Sequence, residues 1–173
     1  MAIALQTDKD DHLIAWLAAL AITIHILEAG LPSPLPGVKP GLANVVTIIT
    51  LCQFGWKTAA WVSLLRVLVG SIIIGTFLSP TFVLSVSGAV GGLIAVGLAG
   101  RLRRIVPAWA PGPIGYSVLA AMAHMAAQFF AAYELFIPND ALFTLLPVLM
   151  TAAVIFGVVS GMVANAVVKQ IVG

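Results

Sequence analysis

Residues 41–54 read "GLANVVTIITLCQF", and the number of times the chain crosses a membrane turns on them. Fourteen residues fall short of the ~20 that a helix needs to cross a ~30 Å hydrocarbon layer. A stretch this short can also dip into the bilayer and return. The other apolar runs leave less choice. Leu13–Gly30, Ala59–Ser79, Thr81–Gly100, Pro113–Ala132 and Leu142–Val168 each approach or exceed a spanning length. Of the 173 residues, 61% are hydrophobic and only 8% are charged, where soluble domains carry roughly 25% charged residues. So few charges cannot build a hydrated surface, and the period-two alternation of a membrane barrel is absent. The sequence therefore predicts an all-α integral membrane protein. It is a single domain, residues 1–173, built as a compact bundle of six transmembrane helices, with five plus a re-entrant segment as the alternative.

The positive charges do not choose between the two. Six spans put Lys9, Lys57, Arg101, Arg103, Arg104 and Lys169 on one side and Lys39 on the other. Five spans exchange Lys9 and Lys39 and leave the same imbalance. Six is favoured because Pro40-Gly41 can start a helix whose first turn lies among the headgroups. The rule that cytoplasmic loops are positive then makes residues 1–11 a cytoplasmic tail, 31–40 an outer proline-rich loop and 100–112, with "RLRR", a cytoplasmic basic turn. Glu28, Lys39, Glu134 and Asp140 would rim the outer mouth. The first apolar run does not read as a cleavable signal, since the acidic "TDKDD" precedes it and no small-residue cleavage pattern follows. The net charge of +2 is spread over membrane edges and implies no nucleic-acid partner. The single cysteine, Cys52, reads as a small packing residue.

Polar residues inside the apolar runs are the candidates for function. "EAGLPSPLPGVKPGLANV", residues 28–45, holds four prolines and three glycines between two greasy segments. Prolines at 32, 34, 36 and 40 restrict φ and lower the entropy of an open loop. Pro32, Pro34, Pro36 and Pro40 therefore suit a lid that closes reproducibly, with Glu28 and Lys39 as its charged residues and Asn44 capping or lining the next helix. Arg66 lies about 13 Å beyond Lys57 at 1.5 Å per residue. An arginine that deep costs at least ~2.5–3.5 kcal/mol to insert and normally has a partner. It shares a face with Ser63 and Gly70, and could hold an anionic group, pair with an acid or snorkel to the interface. Ser117, Ala121, His124 and Gln128 form one polar stripe, either a ligand-facing lining or helix glue. No second histidine four residues away and no cysteine pair accompany them, so no metal is expected. Gly88/Gly92, Gly157/Gly161 and Ala15/Ala19 are small-residue pairs that let helices approach closely. The Ala15/Ala19 face is rotated roughly 130° from the His25/Glu28 face at 100° per residue, so that helix can pack a partner on one side and face a cavity on the other.

The runs "LEAGLPSPLPGVKPGLANVVTIITL", "SLLRVLVGSIIIGTFLSPTF" and "AHMAAQ" resemble a family of small bacterial membrane proteins. It is labelled heptaprenyl diphosphate synthase component I or Gx transporter, and the resemblance covers about residues 22–165. Such proteins are similar to the six-helix S-components of energy-coupling factor vitamin transporters. The resemblance implies a bacterial inner-membrane protein binding a small organic solute near its outer face. Glu28, Pro32, Pro34, Lys39, Pro40 and Asn44 would belong to the loop and lid, and Arg66, His124 and Gln128 to the cavity. Ala15 and Ala19 would dock a coupling transmembrane subunit, itself driven by ATPase subunits. One position departs from the family pattern: Met125 stands where an asparagine follows the histidine, which thins the polar wall.

Catalysis by this chain alone is not expected. Prenyl diphosphate synthases hold Mg²⁺ through paired aspartate-rich motifs, and here Asp8, Asp10 and Asp11 form a single cluster in the tail. P-loop, HExxH and GxSxG signatures are also missing, and no cofactor is expected. The leading expectation is a solute-binding, uptake-type subunit contacting membrane lipid and coupling subunits. The alternatives are an accessory membrane subunit of isoprenoid, quinone or flavin-linked redox metabolism, and a scaffold whose polar residues only join helices.

Overall fold

Apolar runs in lipid satisfy their backbone groups internally only as helices or closed barrels, and here they do so as helices. The computed structural model describes residues 9–30, 41–106, 108 and 110–172. Among these lie six α-helices and no strand: α1 (Lys9–Ala29), α2 (Leu42–Phe54), α3 (Trp56–Ile74), α4 (Pro80–Ile105), α5 (Pro113–Leu135) and α6 (Leu146–Val172). A 3₁₀ segment, Asp140–Leu145, leads directly into α6. Five of the helices are long and apolar enough to cross a membrane, and α2 is the short one.

The surface and interior are arranged for a lipid solvent. Trp16, Leu78 and Ile105 are each at least 75% exposed, whereas Ala21, Ala43, Ala59 and Ala164 are fully buried. Lipid tails are as apolar as leucine, so helices gain by close approach over small residues rather than by hiding large ones. The glycine pairs supply that approach on both sides of α5. A methyl on Gly157 would sit 2.9 Å from the Val118 Cα, and one on Gly161 would sit 2.7 Å from the Ile114 Cα. On α4, Gly92 meets the Ala120 carbonyl in the same way, at 3.2 Å.

The path of α2 follows from its neighbours. Ala21 packs with Val62, and His25 lies against Gly70, so α1 and α3 run in the same direction. The chain therefore crosses back between them, which five spans plus a re-entrant segment would not require. Gly55 alone separates α2 from α3. Its φ of 86° lies where side-chain-bearing residues are strained, so the tight reversal needs glycine. At thirteen residues, α2 rises only about 20 Å. It makes its crossing sheltered by α1, α3, α5 and α6 rather than by spanning lipid on its own.

Three local expectations change. The "RLRR" segment is not a turn but the end of α4, which continues to Ile105; arginines there favour the negative end of the helix dipole. The tail is helical from Lys9 onward, with Asp10 and Asp11 in the first turn of α1, where acids are stabilised by the same dipole. Cys52 is exposed rather than packed, because the last turn of α2 borders a crevice between helix ends. Pro32, Pro34, Pro36, Lys39 and Pro40 lie outside the described residues.

Gly157→Leu should destabilise the bundle by at least ~1–3 kcal/mol through overpacking, read as a lowered midpoint of thermal unfolding in detergent. Gly100→Ala, where an added methyl meets nothing within 4 Å, should leave the midpoint in place. Equal midpoints for the two variants would show that α5 and α6 are not held by this contact.

Candidate functional site

The first N–H groups of any helix lack partners within the helix, and at the start of α2 the difficulty is acute. Its N-cap residue, Gly41, has no side chain with which to cap, and Ala43 is wholly buried. The acceptor comes from another helix. Glu28, near the end of α1, accepts from the Leu42 N–H through Oε1 and from the Ala43 N–H through Oε2, the latter at 3.1 Å. Glu28 is therefore a buried residue, 4% exposed, and not part of an outer rim.

A carboxylate removed from water needs a compensating charge, and α3 carries one nearby. Ser63, Arg66 and Gly70 form a buried face. Gly70 on this face receives the His25 ring. Arg66, 6% exposed, lies within electrostatic reach of both Glu28 and His124. Its Nε has no hydrogen-bond partner among the described residues. The His124 ring bonds the Gly88 backbone and fills the space a side chain would take, since a methyl on Gly88 would lie 2.5 Å from Nε2.

Asn44, Thr47, Ser63 and His124 line a small cavity of about 20 Å³ between α2, α3, α4 and α5. That is about the room one water needs. The buried Thr47 Oγ1 is also without a partner among the described residues. Glu28, Arg66 and His124 thus form one electrostatic group, and Asn44 joins His124 at the cavity.

The α5 stripe divides between two neighbours. Ser117 and Ala121 face Gly161 and Gly157 of α6, while His124 faces α4. Gln128 is half-buried and outside the cavity lining. Ala15 and Ala19 lie on the exposed side of α1 beside Trp16 and Leu20. Thr47 was not singled out by sequence reasoning, although its i, i+3 spacing from Asn44 places both on one side of α2.

A family model described as heptaprenyl diphosphate synthase component I matches residues 17–167. No curated protein and no solved structure matches the chain.

Glu28→Ala should lower the thermal unfolding midpoint strongly, because each orphaned buried N–H costs about 1–3 kcal/mol. Glu28→Gln keeps one acceptor oxygen and should fall between Ala and wild type. Identical midpoints for Ala and wild type would remove Glu28 from its capping role.

Proposed function

The chain belongs to the heptaprenyl diphosphate synthase component I family, and from that premise we propose that it is a non-catalytic membrane subunit holding a small anionic solute beside Arg66. The observation that supports this most is the imbalance at that residue. Both Glu28 oxygens bond the start of α2, while the Arg66 Nε donor has no partner and is buried. A carboxylate or phosphate oxygen would complete it with a charge-assisted hydrogen bond. Asn44, Thr47, Ser63 and His124 offer further polar groups at the adjoining cavity. That cavity has room for about one water, so admitting a solute requires α2 and its neighbours to separate. Residues 31–40 join α1 to α2 at the Glu28 end and are the natural lid, with Lys39 and its prolines taking part.

In this reading the end carrying Lys57, Arg101 and Arg103 faces the cytoplasm of a bacterial cell, and solute enters from the opposite side. The exposed Ala15/Ala19 face of α1 docks a coupling transmembrane subunit, to which ATPase subunits supply energy. Gln128, a turn beyond His124, contacts the solute only in an opened state. The family's description favours a second reading, an accessory subunit of isoprenoid synthesis. There the catalytic carboxylates would belong to a partner chain, because Glu28, the carboxylate within electrostatic reach of Arg66 among the described residues, is bonded to α2.

Purified protein should be stabilised against heat by one or more of a panel of small carboxylates and phosphate monoesters. Arg66→Gln should weaken that binding roughly 10–100-fold, the worth of a hydrogen bond to a charged group. A wild type that responds to no member, or an Arg66→Gln variant that responds as strongly, would defeat the proposal. Ala15→Leu with Ala19→Leu should abolish co-purification of partner subunits and keep the solute response. Retained partners would move the docking face elsewhere.

A further inference from the structure

At the end of the bundle away from Glu28, a crevice of about 1200 Å³ opens between the end of α2, the starts of α3 and α5, and the last turns of α4. Lys57, Arg101 and Arg103 line it, and no acidic residue does among the described residues. Two helices begin at its wall, α3 after Gly55 and α5 after Gly112, and neither has a side-chain cap. Their unpartnered N–H groups and the positive ends of their dipoles add to the three side-chain charges. The remaining walls are apolar, with Phe54, Trp56, Ile94 and Leu98 among them. Trp56 is a fixed part of that wall, since its indole N–H donates to the Leu93 carbonyl at 2.9 Å and its ring lies on Gly97.

We propose that this crevice binds the phosphate group of an amphiphile, with the phosphate among Lys57, Arg101 and Arg103 and the apolar chain along Trp56 and Leu98. The volume is far more than a bare ion fills, and the walls combine a single sign of charge with an apolar surface. Basic pockets between transmembrane helices at the cytoplasmic side hold anionic headgroups in this way. The site lies apart from Arg66 and does not depend on the solute proposed there. Its phosphate can come from a bilayer phospholipid or from a soluble phosphate ester that carries a short apolar chain.

Native mass spectrometry of the full chain in detergent separates these sources. Phosphatidylglycerol should bind in preference to phosphatidylcholine, and Lys57→Gln, Arg101→Gln and Arg103→Gln together should lower that preference about a hundredfold. Displacement of the lipid by hexyl phosphate supports the site with a soluble ester as occupant, and retention of the lipid supports it with a bilayer lipid. Equal binding of the two phospholipids, or an unchanged preference in the triple variant, overturns the proposal. All three side chains are exposed, so the variant should keep its helical circular dichroism and its thermal midpoint.

Discussion

The two hydrogen bonds from Glu28 to the start of α2 are the constraint from which the interior follows. A helix of thirteen residues rises about 20 Å in a hydrocarbon layer of ~30 Å, so its ends fall short of water on at least one side. Unsatisfied N–H groups at such depth cost several kcal/mol each. Gly41 has no side chain to accept from the Leu42 and Ala43 N–H groups, and a neighbouring helix must supply the acceptor. Once a carboxylate is buried for that purpose, a cation close by becomes a requirement, and Arg66 meets it. The buried charges are thus consequences of a short central helix, before any ligand is considered.

Close packing elsewhere works through polar tips seated on glycine. His124 sits on Gly88, His25 on Gly70, and the Trp56 indole on Gly97. The first and last are also donors to backbone groups of α4, which joins α4 to α5 and to α3. In lipid these contacts do what large buried side chains do in water, because apolar burial adds little when the solvent is itself apolar. α5 shows the division of labour most plainly. Its Ser117 and Ala121 pack against the glycines of α6, and one turn later His124 turns to α4 and the cavity.

Apolar length was enough to read the long helices from the sequence, since their backbone has no alternative in lipid. The passage of α2 was not readable from charge, because Lys9 and Lys39 exchange sides between the two topologies and leave the imbalance unchanged. What decides it is the parallel course of α1 and α3, set by His25 on Gly70, a contact that no local pattern announces. Glu28 was singled out for its position beside the proline segment, yet its partners lie fourteen and fifteen residues away. The signal that could have found them is an absence: "PGLAN" starts a buried helix with no capping side chain, so an acceptor had to come from elsewhere. Arg66 was legible as a deep charge because insertion cost marks it, whereas its second neighbour, His124, depends on tertiary packing. The "RLRR" segment misled because arginines resemble a loop in composition while also suiting a helix C-terminus.

The position of Glu28 also bears on how the bundle can move. It lies on the same helix as the exposed Ala15/Ala19 face, nine residues beyond Ala19, a rise of about 14 Å. A helix is stiff over that distance, so a partner that tilts α1 from its exposed side would carry Glu28 with it. Moving Glu28 away from α2 would strip the acceptor from two buried N–H groups and draw the carboxylate away from Arg66. The three changes are coupled by geometry alone. In the proposed transport reading, the docking face, the roof of the polar site and the cation that holds the solute are therefore linked through one rigid element, and the solute's anionic group competes with Glu28 for the same guanidinium. In that reading an anion that occupies Arg66 would make the displacement of Glu28 less costly, and binding would favour the tilt that a partner drives.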